Sequence, residues 1–203
     1  MKKLFLLVSF IFCVVLFANA QLYVGGSLGV NSTTYKPEAG EKTSLFGFSI
    51  SPEVGYSLND KMDIGLEIGF SIASNKTEVT VDKINTTDFS IAPYFRYSFC
   101  SFGKFKILGK ASLFFGSHNV TTTPLAGDDI EIKSSRIGLA ISPLFTYDVS
   151  DKLVLFTSLN FLNIGFTHNM YKDAGSETNF NLGLDMNNIK NLGNVTIGAA
   201  YKF

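Results

Sequence analysis

Phe46-Gly47-Phe48-Ser49-Ile50-Ser51-Pro52-Glu53-Val54-Gly55-Tyr56-Ser57-Leu58 alternates without a break. Phe46, Phe48, Ile50, Pro52, Val54, Tyr56 and Leu58 share one face, and Gly47, Ser49, Ser51, Glu53, Gly55 and Ser57 share the other. A period of two is the geometry of a β-strand with one apolar face. After Asn59-Asp60-Lys61 the pattern resumes, with Met62, Ile64, Leu66, Ile68, Phe70 and Ile72 against Asp63, Gly65, Glu67, Gly69, Ser71 and Ala73. Two such runs about a tight polar turn predict a long antiparallel hairpin.

The reading recurs over 89–99, 105–115 and 137–149, and further strands are expected at Leu22–Val30, from Leu153, and at Val195–Phe203, for eight in all. At roughly ten to fourteen residues, these exceed the usual strand of a soluble sheet and suit a tilted strand crossing a bilayer. Tight turns near Asn59-Asp60, Ser101–Gly103 and Ser150-Asp151 alternate with polar stretches at 31–42, 74–88, 117–133 and 167–178. Short turns on one side and long loops on the other are expected of outer-membrane barrels. The predicted fold is therefore all-β: a closed, antiparallel, eight-stranded up-and-down transmembrane β-barrel.

Pro52/Tyr56/Lys61, Pro93/Tyr97/Lys104 and Pro143/Tyr147/Lys152 repeat one design across the central hairpins. Tyr56, Tyr97 and Tyr147 fall near the turns on the apolar face, where an interfacial aromatic girdle belongs. Each proline lacks a ladder donor, so a bulge or a missing bond is expected beside it. Phe180, Leu182, Leu184 and Met186 alternate in one phase and Val195–Phe203 in the other, with 187–194 between. One long, interrupted final strand keeps the termini on the same side; two separate strands would not.

Residues 1–20 have a charged start at Lys2-Lys3, an apolar run from Leu4 to Phe17 and an Ala18-Asn19-Ala20 end. This reads as a cleavable signal peptide, leaving 21–203 as the barrel domain. Removing Lys2 and Lys3 leaves fifteen basic residues against seventeen acidic, a net charge of −2. No basic stripe points to nucleic acid. After cleavage Cys100 is the sole cysteine, so no internal disulfide is expected. A soluble lipocalin-like barrel is the architectural rival. It needs an apolar interior, whereas here the alternate face is rich in Gly, Ser, Glu, Lys and Arg, and water on the Phe/Ile/Leu face would make an untenable patch.

The repeated Ser-Pro-x-x-x-Tyr hairpins, each closing on a turn and a lysine, and the aromatic C-terminus make the chain resemble the small bacterial outer-membrane β-barrel protein family. The likeness is to its OmpA/OmpX-like type, as found in Bacteroidetes-type bacteria. Thr196-x-Gly198-x-x-Tyr201-x-Phe203 matches the family's C-terminal assembly signal. The resemblance implies location in the outer membrane, contact with its lipids, and recognition by the barrel assembly machinery. It does not imply an activity, because function on such scaffolds lies in the loops.

Pairing the first hairpin about Asn59-Asp60 sets Glu53 opposite Glu67. Two facing carboxylates repel and call for cations. Arg96, Lys106 and Lys110 share that inner face, so these five residues are expected to form a lumen charge network in which Glu53 and Glu67 pair with Arg96 or Lys110 and obstruct the bore. His118 and His168 are expected in loops or at strand rims, and Ser117-His118 with Asp128-Asp129 is the enzyme alternative. No metal-ligand spacing, phosphate loop or nucleophile motif is present. No catalytic residue, metal or cofactor is expected. The predicted role is non-enzymatic, structural or adhesive, through external loops that could meet an extracellular ligand; a narrow solute channel and a lipid-modifying enzyme are the alternatives.

Overall fold

The computed structural model describes residues 21–35, 42–77, 83–124, 127–159, 162–172, 175–184 and 195–203. The expected signal peptide at 1–20 and the 185–194 link lie outside them. Ten strands are described: β1 (Gln21–Tyr35), β2 (Thr43–Asn59), β3 (Met62–Thr77), β4 (Lys83–Phe102), β5 (Phe105–Thr123), β6 (Ile130–Asp148), β7 (Leu153–Leu159), β8 (Leu162–Tyr171), β9 (Gly175–Leu184) and β10 (Val195–Lys202). All pairings are antiparallel, and β1–β7 with β10 close into a ring of eight. No helix among the described residues is long and apolar enough to cross a membrane.

β6 pairs with β7 over Leu144–Asp148 and with β8 over Ser134–Ile141, while β9 lies beside β8 and β10 lies between β7 and β1. The stretches that join these strands, 160–161 and 185–194, lie outside the described residues, so the expected path of a single interrupted final strand does too. Phe203 N donates to Leu22 O at 2.9 Å, and Gln21 pairs with Ser57. Both ends of the ring thus sit on the turn side.

The prolines mark gaps rather than bulges. Between β2 and β3 the pairing skips Ser51 and Pro52, and between β4 and β5 it skips Ala92 and Pro93, with the register unchanged across each gap. Beside Pro143 the ladder changes partner from β7 to β8. A missing N–H removes a bond without adding a residue, so the register survives. The bulges fall near the turns instead, at Leu58 between Ser57 and Asn59 and at Phe99 between Ser98 and Cys100.

The apolar face points outward, with Val24, Ile50, Ile68, Ile91, Leu139 and Ile197 among the exposed side chains. Inside, the turn-side half differs from the expected wet lumen. Tyr23, Leu108, Leu144, Phe156 and Ala200 pack there as a buried cluster. Eight strands leave a bore that side chains can fill, and these five fill part of it with apolar bulk.

Strands β1 to β6 run 15 to 20 residues. They extend into stretches expected as loops, such as Asn31–Tyr35, Ser74–Thr77 and Ser117–Thr123. The backbone ladder continues there because pairing needs only N–H and C=O groups, whereas the apolar alternation ends where the lipid does.

Candidate functional site

The most constrained polar site is a constriction across the bore. Glu53 and Glu67 pair directly in the β2–β3 ladder, which leaves two carboxylates on adjacent inward positions. Each is met by a cation two strands along: Arg96 Nη2 of β4 lies 2.6 Å from Glu53 Oε2, and Lys110 Nζ of β5 lies 2.6 Å from Glu67 Oε2. A strand between the partners is the distance a long cationic side chain covers. Glu53 and Arg96 are each only 4% exposed, so this pair is held away from solvent.

Aromatic residues carry the constriction to the far wall. The Tyr23 hydroxyl of β1 and the Tyr94 hydroxyl of β4 are hydrogen-bonded at 3.0 Å, and Arg96 Nη1 donates to the Tyr23 hydroxyl at 3.3 Å. The Arg96 guanidinium lies 4.5 Å from the Tyr94 ring centre and 5.3 Å from that of Phe156 on β7; Lys110 Nζ lies 4.7 Å from the Tyr94 ring. Arg96 therefore links β4 to β1, β2 and β7 by charge, hydrogen bond and cation–π contact. Gly55 and Gly65 make room for this arrangement: a Cβ at Gly55 would run into the Tyr23 ring and one at Gly65 into the Tyr94 ring.

Lys106 stands apart from the glutamates. It pairs with Asp148 at 3.0 Å, nearer the turns, because β5 and β6 are direct neighbours there. Below the constriction is an open cavity of about 240 Å³, lined by Asp63, Lys106, Asp148 and Lys202, with Arg96 and Phe156 among its walls. It is a turn-side vestibule that meets the buried cluster.

On the loop side a second polar group follows one wall. His118, expected at a loop or rim, lies in β5 and its Nδ1 is 2.6 Å from Asp88 Oδ1. Ser71 Oγ donates to Asp88 Oδ2 at 3.2 Å, Arg136 Nη1 is 3.4 Å from Asp88 Oδ1, and Arg136 Nε donates to Asn169 Oδ1 at 3.1 Å. Ser117 and His118, as strand neighbours, face opposite sides. The carboxylate stands between Ser71 and His118, whereas an activated nucleophile needs its hydroxyl on the base. His168, on β8, shares a hydrogen bond with the Thr178 hydroxyl at 2.8 Å. No group of three or more His, Cys, Asp or Glu is gathered for a metal among the described residues.

Tyr56, Tyr97 and Tyr147 lie near the turns. Tyr97 meets Phe99 edge-on at 5.3 Å, and Tyr147 packs on Phe105 at 4.6 Å. Thr196 and Gly198 occupy β10 between β7 and β1, and exposed Tyr201 and Phe203 stack edge-on at 5.2 Å. Sequence reasoning overlooked Tyr23, Tyr94, Asp88 and Asp148. The signal was present for Tyr94: a bulky ring among Ala, Ser and Arg on the inner face of β4.

Residues 4–203 match the outer membrane protein beta-barrel domain family. No curated protein matches the chain. Among solved structures, a major outer membrane protein from Thermus thermophilus is similar at 12% identity and a TM-score of 0.51, covering 91% of this chain and 99% of that one. Neisserial surface protein A is similar at 16% identity and a TM-score of 0.43 over 91% and 99%. The attachment invasion locus protein Ail of Yersinia pestis, in complex with the heparin analogue sucrose octasulfate, is similar at 11% identity and a TM-score of 0.45 over 91% and 97%.

Proposed function

The chain belongs to the outer membrane protein beta-barrel domain family, and from that premise we propose that it is a non-enzymatic surface barrel whose structural or adhesive work is done by its external loops. The barrel is the anchor and the loops are the contact surface. The observation that carries this reading is the constriction. Arg96 bridges Glu53 on one wall, Tyr23 on another and Phe156 on a third, and such a bar across a bore that eight strands leave only wide enough for side chains supports a lumen closed to solute. With the lumen filled in this way, the loops are the surface left for contact with other molecules.

In this reading the nascent chain is exported by residues 1–20, and the assembly machinery recognises Thr196, Gly198, Tyr201 and Phe203. Tyr56, Tyr97 and Tyr147 anchor the turn side in the interfacial layer of the lipid. The test has two arms. Purified protein in planar bilayers should show no steady conductance, and deleting the loops one at a time should reduce surface adhesion while small-solute uptake stays unchanged. Large, stable conductance from the unmodified protein would replace this reading with that of a narrow solute channel.

A further inference from the structure

The lipid-facing wall over β5, β6, β7 and β10 is not smooth. A groove of about 350 Å³ runs there, lined by Phe105, Phe145, Tyr147, Leu155, Thr157 and Ile197. That volume lies within the range of small-molecule sites. The ladder explains the shape: Phe105 pairs with Tyr147 and Tyr147 with Leu155, while Phe145 pairs with Thr157 and Thr157 with Ile197. A ridge of aromatic rings on β5 and β6 thus stands beside a trough floored by smaller side chains on β7 and β10. Two outward side chains in that lining carry a hydroxyl, Tyr147 and Thr157, and that of Thr157 donates to the Thr196 carbonyl at 2.8 Å. With its hydroxyl engaged, Thr157 offers the groove only a methyl group, so the groove suits a hydrocarbon chain and not a polar ligand.

Two turn lysines lie on the turn side of the groove residues, Lys104 next to Phe105 in the chain and Lys152 three positions before Leu155. Both belong to the repeated Pro-x-x-x-Tyr, turn, Lys design, and neither has a part in the constriction. Lys104 precedes Phe105, and its Nζ donates to the Val149 carbonyl at 3.3 Å, which ties the β4–β5 turn to the β6–β7 turn. Lys152 lies in that second turn, with its Nζ 5.8 Å from the Tyr201 ring centre. No ion pair engages either lysine among the described residues; the nearby Asp148 is taken by Lys106. Turns face the periplasm in barrels of this kind, so these two charges sit at the headgroup level of the inner, phospholipid leaflet.

We propose that this groove binds one anionic phospholipid of the periplasmic leaflet, with an acyl chain along Phe145, Leu155, Thr157 and Ile197 and the phosphate held by Lys104 and Lys152. Charge complementarity selects the headgroup and the apolar trough selects the chain. The inference rests on the membrane location and is independent of what the loops do.

The test is native mass spectrometry of the whole folded barrel, released from detergent after incubation with equal amounts of phosphatidylglycerol and phosphatidylcholine. One phosphatidylglycerol should be retained several-fold over phosphatidylcholine. Lys104→Gln with Lys152→Gln should bring it down to the phosphatidylcholine level, and Thr157→Phe should reduce both lipids by filling the trough. Lys61→Gln, at the β2–β3 turn and away from the groove, should change nothing. Folding of every variant is read by its heat-dependent shift on a gel, and Ile197→Phe replaces Thr157→Phe if the latter does not fold. Equal retention of the two lipids by the unmodified protein, the same loss with Lys61→Gln, or a lipid-free dimer would each overturn the proposal.

Discussion

Removing the Arg96 side chain is the most searching perturbation of this barrel. Arg96→Ala leaves the Glu53 carboxylate buried without its partner, and it also removes the hydrogen bond to Tyr23 and the cation over Tyr94 and Phe156. Breaking a buried pair by removing one member costs about 3–5 kcal/mol, because the desolvated charge left behind has no compensation. Removing both charges costs much less, since the penalty lies in the unpaired ion. Glu53→Gln alone should therefore destabilise strongly, and Arg96→Ala with Glu53→Gln should fall well short of the sum of the singles, with a coupling of about 1.5–3 kcal/mol. The chain has no tryptophan, so urea unfolding in lipid vesicles is best followed by far-ultraviolet circular dichroism and gel mobility. Singles that cost less than about 1 kcal/mol, or a double variant equal to their sum, would show that the pair is solvated and that the constriction is not a buried bar.

Three other outcomes are expected. Phe203→Asp should leave export intact but reduce outer-membrane insertion, measured by fractionation; normal surface levels would remove Phe203 from the assembly signal. Gly198→Leu should destabilise the barrel by about 1–3 kcal/mol in vesicle unfolding, because a side chain there meets the Phe156 ring and the Gly26 carbonyl at the β1–β10 seam; wild-type stability would mean the seam is loose. Protease added to whole cells should cleave around 35–37, 76–83, 121–131 or 169–178, and cleavage confined to Asn59-Asp60 or Ser150-Asp151 would reverse the orientation.

Much of the fold was legible because lipid and lumen impose opposite demands on alternate residues. Glu53 facing Glu67 could be read by counting back from Asn59-Asp60, since a tight turn sets the register of a hairpin. The cations that answer those carboxylates were visible as inward positions on β4 and β5. Which cation meets which acid was not, because that depends on barrel stagger and side-chain reach. Lys106 shows the difference: it is inward like Lys110, yet it finds Asp148 on the adjacent strand. Whether His118 stands in a strand rim or a loop was open in the sequence for another reason. Beyond the lipid the apolar signal fades, so a paired polar strand and a polar loop read alike.

Residue order by itself determined the strand period, the outward apolar face, the central hairpins and the eight-stave count, because these follow from local alternation and turns. Only the closed ring decided what meets across the bore. Tyr23 and Tyr94 are 71 positions apart in sequence and 3.0 Å apart at their hydroxyls, and nothing local to either residue encodes that approach. Closure curves the sheet and brings strands that share no ladder to opposite walls of one narrow lumen. The apolar packing around Phe156 and the bar formed by Arg96 are consequences of that curvature.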